Sequence, residues 1–350
     1  MINLKDCAPL KAVNRIKRKY PGVFEVIESL AKEKDFADMW DHEKVYLPVS
    51  GIRAAMEHVK DIDPLKDGKD LALLSALAAW RQHKTIYEFA PALTEELFET
   101  ARRKKLTLDV SAIHLPHWAV YIKTGIKMPA DIDGFFVSYD EDVGNDIENH
   151  YKELRFTPID KNGIPRTVIY LIISSPDGLP DSIESCLHRN KKFSEVDYRR
   201  IEEMMKMGYT GMEELRNSQN NNEYAASLHS FLAQLVMMAI YLSAENADIV
   251  KDEYQRRSPS PYITDTAREI EYYHVGGNIA PRLKLIRSME DKGLVLVANT
   301  RKSPAMHIRR AHWHTYRYGH GRKLLRVRWV HATLVNAAGD EIDYSKFMND

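Results

Sequence analysis

WAVYIKTGIKMPADIDGFFVSY, Trp118 to Tyr139, decides how the chain folds. Apolar residues alternate at Trp118, Val120 and Ile122, and after a turn-rich stretch they alternate again at Phe135, Val137 and Tyr139. A period of two is the mark of a half-buried strand, so the segment predicts two strands joined by a turn. Further on, Arg166 to Ser174 (RTVIYLIIS) is a continuous apolar run between Pro165 and Pro176, the pattern of a central strand. A mixed or antiparallel sheet is therefore expected in the middle of the chain.

Upstream of Thr107 the period is that of helices. Apolar residues recur at three- and four-residue intervals in Val23, Ile27 and Leu30, and in Leu71, Leu74, Leu77 and Ala78, with Pro21, Pro48, Pro64 and Pro91 as punctuation. Ser50 is placed to cap a helix entering at Gly51, and Pro64 to Asp70 (PLKDGKD) reads as a turn. Trp80, Arg81 and Tyr87 fall near the end of the long apolar helix, as an aromatic edge against the core.

Downstream of the sheet, Ser194 with Asp197 opens a helix that runs through Met204 and Met205, methionines that read as core filler. Asn217 to Asn222 (NSQNNN) is a short polar break. Tyr224 to Ala244 is apolar and free of Asp, Glu, Lys and Arg, but it carries Ser227, His229, Ser230, Gln234 and Ser243. Such groups are expensive in lipid, so a buried core helix is expected there and no membrane contact. The loop Ser258 to Tyr262 (SPSPY) marks a segment boundary. Val275 to Asn278 is a turn without the spacing of a phosphate cradle, and Leu294 to Asn299 (LVLVAN) reads as a strand. The expected fold class is α+β, with a helical N-terminal region, a central mixed or antiparallel sheet with helices, and a C-terminal basic β-hairpin. Three lobes, 1–105, 106–216 and 217–350, are expected to form one integrated unit.

Composition narrows the function classes. The 350 residues are 44% apolar and 29% charged, with 50 basic and 50 acidic residues and no net formal charge. That excludes wholesale disorder and a uniformly nucleic-acid-coating surface, so any polyanion must be met locally. Cys7 and Cys186 are the only cysteines and have no CxxC spacing; they form neither a zinc site nor a disulfide framework and fit a reducing cytoplasm. The first twenty residues spread their charges and lack the apolar core of a secretory signal. No cofactor is expected.

Two stretches carry charge. The acidic loop Asp140, Glu141, Asp142, Asp146 and Glu148 lacks calcium-loop spacing and reads as a solvated loop. It could also receive a basic peptide, with Trp118 and Tyr139 alongside Asp140, Glu141 and Asp142. The other stretch, Met306 to Trp329 (MHIRRAHWHTYRYGHGRKLLRVRW), is strongly basic, and no acid occurs between Asp291 and Asp340. If it is extended, alternation puts Arg310, His312, His314 and Tyr316 on one face and His307, Arg309, Trp313 and Arg317 on the other. Gly319 and Gly321 permit a turn, after which Leu325, Val327 and Trp329 alternate with Arg326 and Arg328.

Four readings of this hairpin are open. His312 and His314, in HxH spacing, could both face one metal ion, but a third ligand has no recognised spacing and the arginines repel a cation. His312, His314, Tyr316 and Arg310 are the residue types of a metal-independent ribonuclease, with histidine as acid or base and arginine against the developing charge. His307, Arg309, Arg310, Trp313, Arg317, Arg322, Lys323, Arg326 and Arg328 suit plain binding to RNA or a ribosome, cations on phosphates and rings on bases. In the fourth reading the tryptophans are core, the arginines are paired with acids elsewhere, such as the acidic loop, and the protein has a structural or scaffolding role.

The run His307, Arg309, Arg310, His312, Trp313, His314, Tyr316, with Gly319, Gly321, Val327, Arg328, Trp329, Val335 and Asn336, resembles the C-terminal signature of a type V-A anti-CRISPR family of phages and mobile elements. The likeness extends through Ala79 to Arg81, Ile86 and Tyr87, Leu115, Pro116, Trp118, Val120 and Tyr121, and Gly134, Phe135, Tyr139 and Asp140. The resemblance implies a cytoplasmic regulator that lowers production of the type V-A effector nuclease. Such a protein recognises the N-terminal peptide of its target as it leaves the ribosome and causes loss of the encoding mRNA during translation. Its implied partners are that nascent peptide and mRNA or the ribosome.

Overall fold

A computed structural model describes residues 7–33, 39–103, 108–128, 131–141, 152–166, 168–173, 182–188, 222–253, 270–292, 307–322 and 324–335. Its centre is a seven-stranded mixed sheet in the order β5-β4-β3-β2-β1-β7-β6. The strands are β1 (Thr85–Phe89), β2 (Ala119–Lys123), β3 (Ile132–Glu141), β4 (Lys152–Asp160), β5 (Ile169–Ile172), β6 (Ile249–Lys251) and β7 (Glu271–Val275). β1 runs parallel to both β2 and β7, and the other pairings are antiparallel. The class is α+β, as the change of period implied.

The helices α1 (Ala8–Lys19), α2 (Val23–Leu30), α3 (Val49–Val59) and α4 (Pro64–Trp80) share one core with one face of this sheet, through Ile86, Ala119, Tyr121, Phe136 and Tyr272. The other face, with Tyr87, Phe89, Val120, Ile122, Phe135 and Val137, packs in a second core with α5 (Pro91–Arg103), α6 (Asn222–Leu242) and α7 (Ala280–Asp291). The strands around Trp118 to Tyr139 are therefore buried on both faces, not half-buried: Ala119 to Ile122 and Phe135 to Val137 are fully inaccessible. The residues between the alternating positions, Ala119, Tyr121 and Phe136, are themselves apolar and pack on the α1–α4 side. Among the described residues no helix is long and apolar enough to cross a membrane, and α6 is a core helix.

Several local expectations change. Arg166 to Ser174 contributes the edge strand β5, which stays buried because α6 packs beside it. The interior strand β4 escaped the sequence reading because it is charged at its start and contains Pro158. Pro158 pairs with Phe135, and its carbonyl accepts from the Arg166 N–H (2.9 Å), on the side away from β3. The missing N–H therefore points where the β5 pairing has already ended at Phe156 and Ile169, and no rung of the β3–β4 ladder is lost.

Tyr87 lies on β1, not on a helix. α4 ends at Trp80, and the chain turns through Lys84 at φ 51° into TIYEF, a strand too short to show its period. Pro64 to Asp70 is the first part of α4 and not a turn. Pro64 sits at the helix start, where its fixed φ suits the helix, and Asp67 accepts the Asp63 N–H (3.0 Å). Asp67 and Asp70 also take Lys19 at 2.7 and 2.6 Å, which offsets the roughly 1 kcal/mol penalty of Gly68 in a helix. Ser50 lies inside α3 and gives it no side-chain cap; the first N–H, of Val49, is accepted by Asp140 Oδ1 at 3.1 Å.

The stretches 189–221, 254–269 and 293–306, which hold the expected Ser194 helix, the SPSPY loop and the Leu294 to Asn299 strand, lie outside the described residues. Val275 ends β7 and the chain then turns as expected; Asp248 secures the turn, its carbonyl accepting from Gly276 (2.7 Å) and its carboxylate from Asn278 (2.8 Å) and, just beyond, Ile279 (3.1 Å).

Candidate functional site

The C-terminal basic stretch folds into two small antiparallel pairs. β9 (His312–Tyr318) pairs with β10 (Leu324–Val330), and β8 (His307–Arg309) pairs with β11 (Thr333–Val335). Gly319 (φ 79°), Gly321 (φ 67°) and Arg322 (φ 52°) make the turn of the larger hairpin; the left-handed backbone explains the two glycines. The chain leaves strand geometry at Arg310 and Ala311, so alternation does not run through from β8 to β9. The expected grouping of Arg310 with His312, His314 and Tyr316 fails for that reason, as does that of His307 and Arg309 with Trp313 and Arg317. Arg310 turns to Glu290 on α7 (3.5 Å), while Arg309 is exposed on β8 and His307 is half-buried beside it.

Within β9 and β10 the expected two-faced hairpin is present. In an antiparallel pair directly opposed residues share a face. Trp313 opposes Trp329, Thr315 opposes Val327, and Arg317 opposes Leu325. This face docks on the core: the two indoles lie 4.7 Å apart, Trp313 Nε1 donates to Met237 Sδ on α6 (3.0 Å), and Val327 and Trp329 are buried. Trp313 is thus an anchor. Arg317 projects at the margin, 3.9 Å from Asp109.

The opposite face pairs His312 with Val330, His314 with Arg328, Tyr316 with Arg326, and Tyr318 with Leu324. Every cross-strand pair contributes a ring from β9, and the two central pairs add a guanidinium from β10. The Arg326 guanidinium lies 3.9 Å over the Tyr318 ring, a cation–π arrangement worth about 0.5–1 kcal/mol at an exposed site. Leu324 is 54% exposed. His312 is half-buried, its Nδ1 3.2 Å from the Arg310 carbonyl oxygen, whereas His314 is exposed. Arg322 is exposed in the turn, and Lys323 lies outside the described residues. Among the described residues no three His, Cys, Asp or Glu groups are arranged to hold a metal.

The segment that follows α6 fixes the hairpin, and the sequence reading missed it. The Glu245 N–H donates to the Val327 carbonyl (2.9 Å). Asn246 behaves as a strand partner in side-chain form, accepting the Trp329 N–H (2.9 Å) and donating to its carbonyl (2.8 Å). The Glu245 carboxylate then reaches the outer face and takes the Tyr316 hydroxyl, Arg326 Nη1 (2.8 Å) and Arg328 Nε (3.5 Å). The Tyr316 hydroxyl, followed by the two guanidiniums, holds the Glu245 carboxyl below its ordinary range. The only signal available beforehand was an acid at the end of an uncharged helix.

The acidic-loop residues are placed elsewhere. Asp140 is 3% exposed, ion-paired to Arg155 Nη1 at 2.7 Å, and burial pushes its carboxyl up to about 6. Glu141 is buried and accepts the Asp41 N–H (3.1 Å), and Asp142 lies outside the described residues. Tyr139 donates to the Ile113 carbonyl (2.6 Å) on the face of α5 and α6. Trp118 packs on the opposite side, donating to the His42 carbonyl (2.8 Å) within a ring cluster of Tyr46, His83 and His117. The sheet therefore does not bring Trp118 and Tyr139 together. Burial, then the stacked His83 ring at 4.1 Å, lowers the His117 imidazole below its usual range.

Comparison with known proteins agrees with this architecture. No curated protein matches the chain significantly. The crystal structure of AcrVA2 is similar in fold, with a TM-score of 0.55 at 19% identity, over 92% of this chain and 97% of that one. Residues 87–337 match the model of the AcrVA2-like family, described as the anti-CRISPR type V subtype A2 family. That span starts on β1 and ends just after β11, taking in the whole hairpin and the Glu245 segment, and the chain belongs to this anti-CRISPR family.

Proposed function

We propose that the protein lowers production of a type V-A CRISPR effector, or an analogue of it, by recognising the N-terminal nascent peptide of that target and causing translation-dependent loss of its mRNA. In this reading the outer face of the β9–β10 hairpin contacts RNA, on the message or the ribosome. The observation that carries it is the row of rings and guanidiniums presented on one exposed face of a chain with no net charge. Cations meet phosphates there and rings stack on bases, the combination used for single-stranded nucleic acid. The partly exposed ring cluster around Trp118 is the peptide-facing element of the proposal. It lies on the α1–α4 side of the sheet, and the hairpin core packs on the other.

The test is capture of the tagged protein from cells translating the target. Nascent chains of the target's first residues and the target's own mRNA should be recovered together, and puromycin release of the chains should abolish recovery of the mRNA. Recovery of finished, ribosome-free effector instead would overturn the proposal. Ribonuclease activity makes a separate demand: purified protein should cut RNA without metal, and His314→Ala should lose that cutting by roughly 100-fold.

A further inference from the structure

Three donors on the outer face of the hairpin converge on one carboxylate. The Tyr316 hydroxyl and Arg328 Nε meet Glu245 Oε2, and Arg326 Nη1 meets Oε1. The donors come from β9 and β10, whereas the carboxylate comes from the segment after α6. Two guanidiniums and a phenol around a pair of anionic oxygens form a donor set that suits a phosphodiester as well as a carboxylate.

The attachment of Glu245 separates backbone from side chain. Its N–H is held by Val327, and Asn246 beside it is locked to both backbone groups of Trp329. The side chain is 36% exposed, so it can swing away without undocking the segment. Next to it the Arg326 guanidinium sits over the Tyr318 ring, opposite the exposed Leu324, so cationic and aromatic surface on which a base can stack lies beside this carboxylate. An exposed carboxylate paired with exposed arginines adds little to stability, since solvent and salt screen it. Its electrostatic effect on an incoming anion is larger, because it neutralises the very charges a phosphate would meet.

We propose that Glu245 occupies, in cis, the seat of an RNA phosphate, and that single-stranded RNA binds the hairpin by displacing this carboxylate from Tyr316, Arg326 and Arg328. The inference rests on the RNA-contact reading of the hairpin and names its phosphate site and the residue that regulates it. Glu245 limits affinity and makes binding conditional on a strand that can supply phosphate and base together.

The probe is a labelled single-stranded RNA of about a dozen nucleotides, titrated into full-length wild-type protein and the Glu245→Gln variant across a salt series. Removing the carboxylate charge should tighten binding about 5- to 20-fold at low salt and steepen the dependence of log K on log salt by about 0.7, one further phosphate neutralised. Glu245→Asp, which keeps the charge but draws it back by one methylene, should give a smaller gain and guards against loss of fold in the first variant. Hydrogen exchange at the Trp329 amide, which donates to Asn246, reports whether the hairpin stays docked.

If Glu245→Gln binds RNA no more tightly, or more weakly, with the hairpin docked, the carboxylate only braces the hairpin and the inference fails. Failure of the underlying reading looks different: wild-type binding would then be unaffected by Arg326→Gln and Arg328→Gln together.

Discussion

At the scale of the residue, buried carboxylates tie distant parts of the chain together, and their titration is testable. Asp140, on β3, accepts the Val49 N–H at the start of α3 and pairs with Arg155 on β4. Burial outweighs Arg155 and lifts its carboxyl from 3.8 to about 6. A folded value above the unfolded one favours the protonated native state, so this group's contribution to stability is full below about 3.8 and is lost as pH rises through 6. Denaturant midpoints measured between pH 4 and 7 should show that decline in the wild type, and Asp140→Asn should flatten it. Arg155→Ala leaves Asp140 buried and uncompensated and should cost about 3 kcal/mol in unfolding free energy. Asp67 has the opposite sign. Lys19 and Tyr20 hold its carboxyl well below the usual range, so its contribution is present above 3.8 and is lost as pH falls below it. Asp67→Ala should lower stability at pH 7 by about 2 kcal/mol. Neither role was legible beforehand: Ser50 looked like the cap of α3, because the acceptor that replaces it lies ninety-one residues away.

At the scale of the element, the hairpin divides its two faces between stability and binding. Trp329 is buried between Trp313 and the second core, so Trp329→Ala should cost about 3–5 kcal/mol and undock the hairpin. Arg326→Gln and Arg328→Gln, on the exposed face, should change the unfolding free energy obtained from thermal melts little, within roughly 0.5 kcal/mol. A large loss of stability from the arginine variants, read in the same melts, would return the hairpin to a purely structural role. The sequence showed this element well where period two is unbroken, from His312 to Tyr318 and from Leu324 to Val330. It failed at Arg310 and Ala311, because the break is set by β8 pairing with β11 across the whole hairpin. β1 and β4 were hidden for local reasons: one is five residues long, and the other carries a proline whose orientation only the finished sheet explains. The Glu245 contact with Arg326 and the Asn246 contact with Trp329 span 81 and 83 residues of sequence and leave no pattern.

At the scale of the molecule, one mixed sheet separates two helical layers, and the basic hairpin grows from the layer built on α5, α6 and α7. The ring cluster at Trp118 belongs to the opposite layer. A two-sided scaffold of this kind can present two ligands at once without their competing, which is what the proposed contact with a nascent peptide and RNA requires. The local charge asymmetry, legible from composition alone, survives folding: among the described residues Glu245, Glu290 and Asp109 pair with Arg310, Arg317, Arg326 and Arg328, and Arg309 and Arg322 are exposed. The most direct measurement is the level of effector mRNA in cells that translate the effector, with wild-type protein and with Arg309, Arg322, Arg326 and Arg328 all changed to Gln. The wild type should deplete the message only while it is translated, and the variant should spare it while still capturing the nascent peptide. Undiminished mRNA loss in the variant would contradict the account.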